Sequence, residues 1–333
     1  MFSFESTTKY INWLEFKNIL IIFSCVMLVT ILLYFALCGK SEKSIKITKI
    51  IFALTLFILE LGRIIWSYFQ SLHFNEKIEW LKIINFESCT MMVWLNIILI
   101  LLSLKLNKNN QFLIYLYNIS LGIGLVGGIL TFAYPAFVDS YYSILHFSNL
   151  QSIITHIILI VLPLYFLKTK QFSPTLKDFW IIPFTYVCIG NISSMAAFIA
   201  SWNFAFVFYC RPFIALKINI PFPYHILVLF LILSLIMFFV YLFYQIKNNK
   251  KYNIRPSKIT KFEFCSYVVT FFALLTHILL LECLNNLTSN LIGLYFLIPF
   301  VVFVTIEFLL YHKLNNKKAH RNWCALGLPI KIF

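Results

Sequence analysis

Only a small share of the side chains in this 333-residue sequence can do chemistry, and they lie inside apolar runs. Cys89 is a candidate nucleophile near the start of one run. Asn96, seven residues on, shares its helical face, whereas Glu87 points about 200° away if the helix is regular there. His146, Asn149, Ser152 and His156 fall within about 120° of one another at a helical 100° per residue. That stripe carries an imidazole at mid-run, the side chain best suited to moving a proton near neutral pH. Glu60 and Arg63, three residues apart, form either a packing ion pair or a site where the guanidinium meets an anion or a lipid headgroup. Ser266, Thr270 and His277 align in a later run.

The elements that must position these residues follow from composition. The chain is 61% hydrophobic and 12% charged with a net charge of +15, outside the range of soluble domains. Its Lys and Arg residues fall in short clusters between apolar runs, not along one amphipathic face, which argues against nucleic acid as a partner. The eight cysteines include no C-x-x-C pair and no Cys/His cluster, so neither a zinc site nor a disulfide framework is expected and no cofactor is implied. The partner that composition implies is membrane lipid.

Apolar runs long enough to span a bilayer fall at about 18-38, 48-69, 83-104, 112-134, 144-167, 179-200, 224-246, 262-284 and 289-311. Hydrocarbon cannot bond an exposed backbone, so every span should be helical. The expected fold class is all-α, a polytopic bundle of about nine transmembrane helices. Twenty of the 27 Lys and Arg residues lie on one side of that alternation and six on the other, with Arg63 inside a span. The positive-inside rule then sets the N-terminus outside and the C-terminus in the cytoplasm. The first run is too long for a signal-peptide core and reads as a retained helix. In this organisation 1-17 is external, 18-246 is a seven-helix core, 247-261 a basic cytoplasmic loop, 262-311 two added helices and 312-333 a basic tail. Ser120, Gly124 and Gly128 have the small-xxx-small spacing of close helix packing. On this topology Arg63, Glu87, Cys89, His146 and His277 gather in the outer half.

Several segments together resemble one family. They are NFESCTMM at 85-92, YLYNISLGIGLVGGILTFAYP at 115-135, HFSNLQSIITHIILIVLPLYF at 146-166, and WNFAFVFYCRP at 202-212 followed by PFPYHIL at 221-227. In order and helix placement they are similar to the YwaF-type bacterial integral membrane proteins, themselves distantly similar to vertebrate multi-span lipid acyltransferases. The resemblance implies a reactive Cys in the third span and a reactive His in the fifth, here Cys89 and His156. Glu87 departs from the pattern, standing where a His often precedes the Cys. The implied chemistry is nucleophilic: the imidazole takes the thiol proton and the thiolate attacks a lipid ester. On uniform helices Cys89 lies about 9 Å and His156 about 18 Å below the outer boundary, a gap that tilt or a bend must close. Asn149, Asn203 and Arg211 are candidates to hold an oxyanion.

Three functions follow as expectations: an enzyme transferring or hydrolysing lipid acyl groups, a transporter or lipid translocase lined by Glu60, Arg63, Glu87, His156 and His277, and a non-catalytic scaffold.

Overall fold

A computed structural model describes residues 16–37, 41–108, 110–133, 145–207, 217–252, 261–284 and 290–310. The chain is all-helical, with no strand among the described residues. In chain order the helices are α1 (Phe16–Ala36), α2 (Glu42–His73), a short α3 (Trp80–Ile84), α4 (Ser88–Lys105), α5 (Gln111–Ile119), α6 (Val126–Ala133), α7 (Phe147–Lys168), α8 (Ile181–Ala200), α9 (Tyr224–Tyr252) and α10 (Lys261–Leu284). A final helix, α11, covers Gly293–Leu310. All nine expected runs are helical: eight are long and apolar enough to cross a membrane, and the first is shorter, with an apolar stretch of Leu20–Ala36.

The side chains sort as bilayer solvation requires. Phe35, Ile58, Phe243, Phe271 and Phe308 point away from the bundle on α1, α2, α9, α10 and α11, where lipid and not water is the apolar solvent. At the centre, every residue of α7 from 155 to 163 is buried, as a helix apolar on all sides demands.

Small residues fix how the central helices meet. Between α5 and α6, Ser120–Leu125 forms a π-helical turn, a widening that periodicity did not lead us to expect. A side chain at Gly122 would lie 2.3 Å from Ile182 Cδ1; one at Gly124 would lie 3.3 Å from the Leu159 carbonyl oxygen. At Gly128 it would lie 2.6 Å from Ile160 Cγ1 and 3.2 Å from the His156 carbonyl oxygen. The backbones of α6 and α7 therefore touch through bare Cα positions, as the small-xxx-small spacing predicts.

These contacts also give direction. Ser120 Oγ bonds Asn96 Oδ1 at 2.6 Å, while Gly124 adjoins Met92 Cε, Asn96 Nδ2 and the Leu159 carbonyl. Moving from residue 120 to 128 thus climbs backward along both α4 and α7. The segment through α5 and α6 is antiparallel to both, and α4 runs parallel to α7.

The expected continuous helix at 83-104 is interrupted. α3 ends at Ile84, Asn85 adopts a left-handed φ of 62°, and α4 restarts at Ser88 with Glu87 as its N-cap. Asn tolerates that conformation better than most residues, and Asn85 Oδ1 accepts the Glu87 N–H at 3.2 Å. The carbonyls left over at the end of α3 are met by Arg63, whose Nη1 and Nη2 donate to Ile83 O at 2.9 Å and Ile84 O at 2.7 Å.

The glycine contacts predict a contrast between neighbours. A Cβ at Gly127 meets nothing within 4 Å, so Gly127→Ala should be neutral or stabilise by up to about 1 kcal/mol through helix propensity. Gly128→Ala should destabilise by about 1–3 kcal/mol, because Ile160 and the α7 backbone must move. Thermal unfolding of both variants in one detergent measures the difference.

Candidate functional site

Cys89 is the second residue of α4, with a half-buried, free thiol. Met91 donates the first intrahelical bond, to Glu87 O at 3.1 Å, so the amides of Ser88 and Cys89 belong to the unsatisfied first turn, where N–H groups and the helix dipole favour negative charge. The thiol thus sits at a helix start, because the Asn85 break resets the helix.

His156 lies in the buried stretch of α7. Its Nδ1 is 2.7 Å from the Ser152 carbonyl oxygen and 3.4 Å from Ser152 Oγ. A carbonyl only accepts, so the short contact makes Nδ1 the protonated nitrogen and leaves the ring lone pair on Nε2. The ring meets Phe132 of α6 edge-on at 5.9 Å.

The expected difference in depth between the two is corrected by the register. Met92 and Leu159 flank Gly124 in one layer. Cys89 stands three residues before Met92 and His156 three residues before Leu159, about 4.5 Å back along each of two parallel helices. Both residues are within about one turn of the same level, and the His156 carbonyl oxygen lies against Gly128 of α6. α4 starts further into the bundle than α7, a staggering that spans counted from hydropathy alone cannot contain.

Around the start of α4 the structure gathers three other expected residues. Arg63 grips Glu60, with Nη2 at 2.6 Å from Oε1 and Nε at 3.1 Å from Oε2, while its other donors hold the α3 carbonyls. The pair is a clamp on the α3 end, with the guanidinium occupied by protein oxygens. Glu87 Oε2 accepts the Ala205 N–H at 2.7 Å, and Phe86 packs on Phe204 at 6.2 Å. The strip carrying Asn203, Phe204 and Ala205 is thereby laid across the residues that precede Cys89. Two of the sequence segments singled out above, NFESC and WNFAF, are neighbours in space. Ser193 of α8 completes the junction by donating to Phe86 O at 2.8 Å.

The remaining candidates separate from this cluster. His146 caps α7, its Nδ1 accepting the Ser148 N–H at 3.3 Å, with Trp66 edge-on at 5.2 Å. Asn149 is buried and Ser152 half-buried. His277 is buried on α10, its Nε2 3.5 Å from Ser194 Oγ and its Nδ1 without a hydrogen-bond partner. Arg211 lies outside the described residues. Among the described residues no group of three or more His, Cys, Asp or Glu is arranged to hold a metal.

Sequence reasoning missed Asn85, Ser193 and the Ala205 amide. The N-F-E-S run did carry a signal for the first, since Asn followed by polar capping residues marks a helix stop and restart. Ser193 and Ala205 carry none, because their roles depend on tertiary contacts alone.

No curated protein and no solved structure matches the chain. The model of the TMEM164 family matches residues 13–242, more than two thirds of the chain, and ends within α9, so that α10 and α11 fall beyond it. With that match over a bundle of apolar helices, the chain belongs to the TMEM164 family of multi-span membrane proteins.

Proposed function

We propose that the protein transfers or hydrolyses lipid acyl groups, with Cys89 as nucleophile and His156 as base. The reaction class rests on the resemblance to multi-span acyltransferases. The observation that carries the residue assignment is the shared level of the two residues on parallel helices, with the Nε2 lone pair of His156 fixed by the Nδ1 bond to Ser152 O.

The chemistry runs in two half-reactions. His156 Nε2 takes the thiol proton as the Cys89 sulfur attacks the ester carbonyl, and the tetrahedral oxyanion is met by first-turn amides of α4. Collapse breaks the ester C–O bond, and the leaving alkoxide takes the proton from Nε2–H. A thioester remains on Cys89. Water or a second lipid hydroxyl then attacks it, giving its proton to Nε2, and the thiolate leaves and recovers that proton. Asn203, on the strip joined to Glu87, is assigned a supporting role for the oxyanion. Arg211 keeps the same proposed role.

A second reading, a transporter or lipid translocase, draws on the buried polar atoms without partners on α8, α10 and α11: Asn191 Oδ1, His277 Nδ1 and Glu307 Oε1. Such atoms are costly in a membrane and often mark a hydrated path. State-dependent labelling of introduced cysteines from both sides of the membrane favours this reading.

For the acyl-transfer reading, protein in lipid nanodiscs is incubated with phospholipid bearing a labelled acyl chain. Cys89→Ala should abolish turnover and the hydroxylamine-sensitive acyl label on the protein. His156→Ala should lower turnover by about 10²–10⁴-fold, the usual contribution of a general base. Full turnover in Cys89→Ala overturns the reading.

Glu87 acts on this site by position, so its variants should separate. Glu87→Gln keeps an acceptor for the Ala205 amide and should retain most activity, whereas Glu87→Ala leaves that amide unmet and should cost about 1–3 kcal/mol of stability. The expected kinetic signature of Glu87→Ala is a lower kcat at unchanged KM, measured in the same nanodisc assay.

A further inference from the structure

Far from Cys89, at the end of the bundle where α2 begins and α4 ends, Lys49 is 3% exposed. Its Nζ donates to Gln171 Oε1, just beyond α7, at 2.6 Å and to Ser103 Oγ on α4 at 3.1 Å. Both acceptors are neutral. Among the described residues no carboxylate lies within 4.0 Å of this ammonium, and an ammonium has a third hydrogen to donate.

The surroundings are mostly of the same sign, with Glu42 in the first turn of α2 the exception. Lys46 is one turn earlier on the same face of α2 and exposed. Lys43, Lys105 and Lys170 are exposed at the same end, the last held by a left-handed φ of 55°. Lys168 is engaged with the Tyr34 carbonyl at 2.6 Å. A buried cation with another cation one turn away costs several kcal/mol unless an anion accompanies it. Two neutral dipoles do not supply that countercharge.

We infer that Lys49 is the floor, and Lys46 the rim, of a phosphate site that holds the headgroup of an anionic phospholipid at the basic end of the bundle. A phosphate offers several acceptor oxygens, enough for the third N–H of Lys49 and for the Lys46 ammonium together. The anionic class is selected because a zwitterionic headgroup brings its own ammonium toward Lys43, Lys46, Lys105 and Lys170. On the positive-inside topology this is the cytoplasmic leaflet. The site is independent of the acyl-transfer reading.

The test uses the full chain in detergent and native mass spectrometry with phosphatidylglycerol, phosphatidylcholine or inorganic phosphate. Wild type should retain phosphatidylglycerol over phosphatidylcholine. Lys49→Gln should lower that retention about tenfold to a hundredfold, the range for one hydrogen bond to a charged group, and Lys49→Arg should keep most of it. Lys46→Gln, at an exposed position that folding does not need, should weaken retention several-fold even if Lys49→Gln fails to fold. Equal retention of the two lipids, or unchanged retention in Lys46→Gln, overturns the proposal. Stabilisation by inorganic phosphate with no lipid preference overturns the assignment to a lipid.

Discussion

A helix end carries carbonyls that have no partner within the helix, and at the end of α3 Arg63 supplies the missing donors. Its guanidinium spans Glu60 on one side and the Ile83 and Ile84 carbonyls on the other. Without those bonds the break at Asn85 would leave peptide groups unmet at the membrane. With them the chain can stop one helix and start another within three residues, so that Cys89 stands at a helix start with unsatisfied amides. Glu60 is 2% exposed and has value only as part of this arrangement, since a buried ion pair mainly imposes geometry.

The second constraint is the lack of a side chain at Gly124, in the π-helical turn, and at Gly128, in α6. Lateral spacing between helices in lipid is decided by packing more than by burial, because lipid tails are as apolar as leucine. Gly124 and Gly128 let α6 approach the Leu159 and His156 carbonyls to van der Waals range. That approach sets the register of α7 against α4. The π-helical turn contributes by absorbing an extra residue just before the contact, beside the Asn96 and Ser120 pair. Position along the helix and depth in the bundle are separate quantities, joined only by such contacts.

This separates what the sequence could disclose from what it could not. The apolar runs were legible because hydrophobicity at bilayer length has few alternatives, and their ends agree with the helices to within about six residues, the largest gaps falling at the start of α2 and the end of α9. The Glu60 and Arg63 pairing was legible from a three-residue spacing on one helix. The stripe of His146, Asn149, Ser152 and His156 was legible as a face, but its character was not. Whether a polar stripe is wet depends on what lies opposite, and His146 turned out to serve as the cap of α7. The bond from Glu87 to Ala205 joins residues 118 apart in the chain, and no periodicity in one sequence contains it.

The tautomer of His156 and the break before Cys89 are linked through cost. A polar ring buried at mid-helix needs a partner, and the Ser152 carbonyl already accepts a bond within α7, so sharing it with Nδ1 adds a second donor to one oxygen. That solution is local to α7 and does not depend on α4. The residues that precede Cys89, by contrast, are held through tertiary contacts with α2, α8 and the strip at 203–205. The fold therefore orients the imidazole from within α7, with Phe132 of α6 against the ring, and positions the thiol by the assembly of several helices. A change in how those helices pack would move the start of α4, which makes the α3–α4 junction the element through which packing positions the thiol.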